Sequence, residues 1–107
     1  MLADEIKNKI VKSLMPMSPD KIILFGSYGY GKPDSESDID ILFIKDIPER
    51  DVRKIRLKIK KILWEQFNDQ DIYFDVVVDS EERVLKRIDH GDLFYEEIFT
   101  KGEIIYA

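Results

Sequence analysis

Lys21-Ile22-Ile23-Leu24-Phe25-Gly26-Ser27-Tyr28-Gly29-Tyr30-Gly31, followed by Ser37-Asp38-Ile39-Asp40-Ile41-Leu42-Phe43-Ile44, is the part of the chain that decides the fold. The run from Ile22 to Phe25 is short and wholly apolar, which predicts a buried strand rather than a helix. Gly26, Gly29 and Gly31 end it in a glycine-rich turn. Pro33 to Ser37 reads as a polar loop. Asp38 to Ile44 alternates at first and then turns wholly apolar, which predicts a second strand.

The flanking segments extend this pattern. Leu2, Ile6, Ile10, Val11 and Leu14 recur at helical spacing, with Asp4 and Glu5 suited to a helix N-terminus. Pro16 and Pro19 end that helix. Pro48 opens a second helix running to about Phe67, with Val52, Ile55, Ile59, Ile62 and Leu63 on one stripe. Asn68 to Asp71 makes a turn, and the β-branched and aromatic run Ile72 to Val78 predicts a third strand. Ser80 is placed to cap a helix beginning at Glu81, with Arg83 where a capping box would carry Glu or Gln. Asp89 to Asp92 breaks the chain, Leu93 to Phe99 adds a short helix, and Gly102 stops it. Ile104 to Tyr106 offers a short edge strand. The expected fold is therefore α/β: a small mixed sheet with packed helices, in one domain spanning residues 1–107. Sheet order and oligomeric state are left open by the sequence.

Composition excludes several chemistries. The chain holds no cysteine, which removes disulfides, a thiol nucleophile and cysteine-based zinc sites. No apolar run approaches the roughly 18–20 residues of a membrane span. Charged residues interrupt the N-terminal apolar pattern, so it does not read as a signal peptide, and the expected location is the cytoplasm. A net charge of −5 argues against a general nucleic-acid binder. The charges are nevertheless segregated. Arg53, Lys54, Arg56, Lys58, Lys60 and Lys61 crowd one helix and read first as a solvated face, with an acidic partner or RNA as the alternative. The single histidine, His90, reads as a helix-end residue.

The chemistry rests on aspartates. In a strand, residues i and i+2 share a face roughly 6.6 Å apart, so Asp38 and Asp40 point the same way while Ile39 and Ile41 point the other. Carboxylates so placed repel unless a cation intervenes. Oxygen donors without cysteine suit Mg²⁺ or Mn²⁺. Alone, the pair reads equally well as two solvated aspartates at a loop end. Asp75, set among Tyr73, Phe74 and Val76, shifts the balance: a carboxylate there needs a partner or a water-facing sheet edge. It is the expected third ligand, with Asp79 on the same strand face as the competitor. Gly26 allows a phosphate to approach the backbone, and the Ser27 hydroxyl can hydrogen-bond it. Other motifs fail. The glycines do not spell G-x-G-x-x-G, and Gly31-Lys32 runs into Pro33 rather than Ser or Thr. A calcium loop starting at Asp34 would need glycine at Ile39 and glutamate at Lys45.

Gly26-Ser27 after a strand, Ser37-Asp38-Ile39-Asp40 opening the next, and a lone Asp75 on a third together resemble the DNA polymerase β-like nucleotidyltransferase superfamily. At this length the chain is similar to its minimal nucleotidyltransferase (MNT) branch, whose members occur as antitoxins beside helical HEPN-domain toxins. The segments Leu93 to Phe99 and Lys101 to Tyr106 also match that branch. The resemblance implies catalytic, metal-binding Asp38, Asp40 and Asp75, and nucleotide-binding Gly26 and Ser27. It further implies Mg²⁺-dependent transfer of AMP from ATP to a hydroxyl, with a tyrosine of a HEPN toxin as acceptor. A non-catalytic antitoxin and an antibiotic-type small-molecule transferase are the alternative readings. One departure stands out: relatives often carry Arg and Ala where this chain has Tyr28-Gly29-Tyr30.

Overall fold

The structure, a computed structural model, describes residues 2–31 and 38–107. The expected loop from Pro33 to Ser37, and with it Ser37 of the Ser-Asp-Ile-Asp motif, lies outside the described residues. Helix α1 (Asp4–Leu14) leads into strand β1 (Lys21–Phe25), which passes directly into a one-turn helix, α2 (Gly26–Gly29). Strand β2 (Ile39–Ile44) follows, then the long helix α3 (Val52–Phe67), strand β3 (Phe74–Asp79), helices α4 (Glu81–Asp89) and α5 (Leu93–Lys101), and strand β4 (Glu103–Tyr106).

The four strands form one mixed sheet in the order β3-β2-β1-β4. β1 runs antiparallel to both β2 and β4, while β2 and β3 are parallel. A parallel pair cannot be closed by a tight turn, and α3 provides the crossover. β3 and β4 are thus the two edges.

Period-two alternation divides the core. Ile22, Leu24, Ile39, Ile41, Phe43, Val76 and Val78 face α1 and α3, where Ile10, Leu14, Ile59, Leu63 and Phe67 meet them. Ile23, Phe25, Leu42 and Ile44 face the other way, against Val84, Tyr95 and Ile98 of α4 and α5. Both faces of the central strands are covered, which is why β1 and β2 read as continuous apolar runs.

The expected elements are present, with shifted bounds. Asp38 precedes β2 instead of opening it. β3 begins at Phe74 and includes Asp79, and α3 begins only after a 3-10 turn at Glu49–Asp51. Ser80 caps α4 as expected, its Oγ accepting from the Arg83 N–H at 3.2 Å. The Arg83 side chain turns away from the cap and reaches back to Asp79 and to the Ile47 carbonyl. Asp92, within the expected chain break, caps α5 by accepting from the Tyr95 N–H at 3.0 Å. His90 sits at the C-terminus of α4, its Nδ1 2.7 Å from the Lys86 carbonyl. No described helix is long and apolar enough to cross a membrane.

Candidate active site

Three residues stand in one row across three strands. Phe25, the last of β1, is paired with Asp40, and Asp40 is paired with Asp75 at the start of β3. Directly opposite side chains on neighbouring strands lie within about 5.5 Å at Cβ. The parallel β2–β3 pairing brings the N-terminal ends of both strands together, so both carboxylates lie at the same end of the sheet. β1 runs the other way and ends there, delivering Gly26 to the same spot.

Gly26 fits this place for two reasons. Its φ is +62°, in the left-handed region that favours glycine. A Cβ built on it would also run into the Asp40 carboxylate. Gly29, one turn on, is packed against the Leu24 carbonyl, so no side chain fits there either. The Tyr30 N–H donates to the Gly26 carbonyl at 2.9 Å, closing the short turn.

The electrostatics match the geometry. Asp40 is half-buried, and its carboxyl is pushed up to about 6, first by burial and then by the charges of Asp75 and Asp38. Asp38 is exposed just outside the strand, near enough to repel Asp40. Asp75 is exposed as well. Of the two situations its apolar neighbours allowed, a partnered carboxylate or a water-facing sheet edge, the structure shows the edge: β3 is an edge strand and Asp75 faces away from the α1–α3 core. The Tyr30 hydroxyl is pushed up by its burial, with smaller contributions from Glu97 and Asp40. Glu97, on α5, is therefore a further carboxylate beside the row; nothing in its helical sequence context marks it out.

Asp79 does not join this group. It pairs with Ile44 at the opposite end of β3. Its Oδ1 accepts from the Ser80 N–H at 2.9 Å and from Arg83 Nε at 2.6 Å, and its Oδ2 accepts from the Tyr95 hydroxyl at 3.3 Å. Of the two competing aspartates, Asp75 is the one placed beside Asp40. Among the described residues, no three carboxylate, imidazole or thiolate groups converge closely enough to form a ready-made metal cage. The structure assembles a pair, Asp40 and Asp75, with Asp38 at its margin.

A family model, the nucleotidyltransferase domain, matches residues 5–105 of the chain. The chain belongs to the nucleotidyltransferase domain family. Its sheet with packed helices is consistent with the polymerase β-like fold of such enzymes. Two proteins of Methanocaldococcus jannaschii, both named "Putative protein adenylyltransferase", are similar to it. One is 36% identical over 86 residues, covering 80% of this chain and 77% of that protein. The other is 39% identical over 54 residues, covering 50% of this chain and 52% of that protein. The row lies at the end of the sheet where β1 stops and β2 and β3 begin, with Gly26 against the Asp40 carboxylate.

Proposed function

We propose that this nucleotidyltransferase moves AMP from ATP to a hydroxyl on another protein, with Asp38, Asp40 and Asp75 as catalytic residues and Gly26 and Ser27 at the phosphates. The observation that supports it best is the Phe25–Asp40–Asp75 row with Gly26 packed against its central carboxylate. The names of the two Methanocaldococcus jannaschii relatives point to a protein acceptor.

The donor set fits a hard divalent cation. It is all oxygen, and the crowded Asp40–Asp75 pair leaves negative charge uncompensated. Asp38, Asp40 and Asp75 would hold Mg²⁺, or Mn²⁺ in its place. When bound, the cation supplies charge neutralisation for the triphosphate and the departing pyrophosphate. The backbone at Gly26 and the Ser27 hydroxyl hold the phosphate tail. The acceptor oxygen forms a bond to the α-phosphorus, and the bond from that phosphorus to the oxygen bridging to the β-phosphate breaks. Pyrophosphate leaves with the bonding electrons, and the hydroxyl proton passes to the Asp75 carboxylate, which solvent can reach. A hydroxyl held in line with the α-phosphate needs an orienting surface. The acceptor in this reading is a tyrosine of a HEPN-domain toxin, which the transfer silences, so the chain acts as an antitoxin.

The test is incubation with ATP, Mg²⁺ and a HEPN protein encoded beside it. The expected result is one AMP added to a partner tyrosine, seen by mass spectrometry, and no addition with chelator or with the Asp38→Asn/Asp40→Asn variant. An unchanged partner mass, with the partner still neutralised, would show that binding alone is the activity.

A further inference from the structure

One cavity among the described residues opens away from the aspartate row. It has a volume of about 620 Å³ and runs along the outer edge of β3, floored by the consecutive residues Val76, Val77, Val78 and Asp79. Four successive strand residues, whose side chains alternate between faces, line one cavity only when the strand edge itself is the floor. One wall is the start of α3, with Arg53 and Arg56; the other is α4, with Arg83, Lys86 and Arg87.

The backbone of that edge is unpaired among the described residues. The Ile39 N–H donates to the Tyr73 carbonyl and the Lys45 N–H to the Asp79 carbonyl, both at the β2 side. Alternation then directs the backbone groups of Asp75 and Val77 toward β2, and those of Phe74, Val76 and Val78 toward the groove. Sheet proteins usually blunt such an edge, because it is a template for another strand.

The groove is also strongly cationic in a chain of net charge −5. Arg83 is tied to Asp79 at 2.6 Å, and Arg87 lies 3.8 Å from Asp92. Arg53, Arg56 and Lys86 make no ion pair among the described residues. Glu49 is the other acidic residue at the wall. An occupant is therefore expected to carry main-chain donors and acceptors along its length and negative charge on its side chains.

We propose that the edge of β3, between α3 and α4, receives an extended acidic segment of a partner polypeptide as a fifth strand, and that this segment carries the acceptor hydroxyl to Asp75. The proposal rests on the transfer reading above and supplies its orienting surface. Val76, where the groove begins, is the immediate neighbour of Asp75, and a strand advances about 3.3 Å per residue. A segment paired with Val76 and Val78 thus continues past Asp75 within one or two residues. Main-chain pairing fixes register, and the cations select for acidic sequence. A nucleic acid would answer the charge but not the row of outward N–H and C=O groups.

The test uses the full chain and a fluorescent random glutamate–tyrosine copolymer, without nucleotide. Binding should weaken at least tenfold in Arg53→Glu/Arg56→Glu and measurably in Lys86→Glu, an exposed position where misfolding is not at issue. A lysine–tyrosine copolymer should not bind. By NMR, hydrogen exchange at the Phe74, Val76 and Val78 amides should slow at least tenfold in the complex. Absence of copolymer binding, binding that leaves those amides unprotected, or an oligouridylate that binds more tightly and depends on the same arginines overturns the proposal. An Asp40→Asn/Asp75→Asn chain should bind the copolymer as wild type does. If both bind and neither transfers AMP from ATP with Mg²⁺, the docking edge stands and the transfer reading falls. If wild type modifies a partner and the arginine variant does so equally well, the reverse holds.

Discussion

Asp75 and Asp79 point to the same face of the same strand, yet their surroundings are opposite. Asp79 is gripped by Arg83, the Ser80 N–H and the Tyr95 hydroxyl, every one of them supplied by the chain itself. It locks the end of β3 to α4 and α5, and pushes the Tyr95 hydroxyl up to about 12, with burial as the larger cause. Asp75 has no basic partner among the described residues and faces another carboxylate. A charge that the protein satisfies serves the fold. A charge left facing its like is kept at a cost to stability.

Three substitutions put this contrast to the test, the strongest first. Asp75→Asn should lower AMP transfer by about a thousandfold or more, as loss of a group acting in the transition state does. Thermal melting should stay the same or rise slightly. A large drop in melting temperature would turn Asp75 into a second Asp79. Asp79→Asn should do the opposite. Breaking a half-buried ion pair that also holds an N–H and a hydroxyl should cost about 2–3 kcal/mol, or roughly 10–20 °C in melting temperature for a domain of this size. The kcat of the remaining folded protein should be unchanged. Asp40→Asn has a smaller effect on stability than Asp79→Asn, and its size depends on pH. Folded, Asp40 keeps its proton up to about pH 6; unfolded, it releases it near the ordinary value of 3.8. Between those values the folded state holds more protons, so stability falls as pH rises and the full penalty is present above pH 6. Without metal, Asp40→Asn should therefore gain about 1 kcal/mol at pH 8, allowing for solvent screening at a half-exposed site, and nothing at pH 4. Denaturant melts at the two pH values measure this. An equal effect at both would remove the like-charge account of the row.

Much of this was legible from residue spacing. The apolar runs Ile22 to Phe25 and Ile41 to Ile44 read as strands, the first as a buried one, and they are the two central strands of the sheet. The short run Ile104 to Tyr106 does pair, with β1. The proximity of Asp40 and Asp75 was implied by the resemblance and not by spacing, since sheet order was left open, and the distinction between Asp75 and Asp79 was a preference only. That distinction depends on Arg83 and Tyr95, from two other helices, and one-dimensional pattern carries no information about which way those side chains turn. The exposure of Asp75 was one of two readings its context allowed, and spacing could not choose between them: strand order decides what is an edge, and apolar neighbours look alike in a central and an edge strand. Glu97 was invisible because only the packing of α5 brings it to Tyr30. The cationic helix was read as a solvated face, which describes most of α3; Arg53 and Arg56, at its start, line a groove whose other wall is α4.

The parallel pairing of β2 and β3 has a consequence for how the site comes into being. Asp40 and Asp75 are separated by the whole of α3, so no hairpin or local turn can bring them together. The crossover must close, against the entropy of a long loop, before the second carboxylate arrives. No fragment that stops short of β3 owns half a site in any useful sense, and local fraying of β3 dissolves the site entirely. Anything that binds the row is thereby coupled to the cooperativity of the whole sheet and pulls the folding equilibrium with it by mass action.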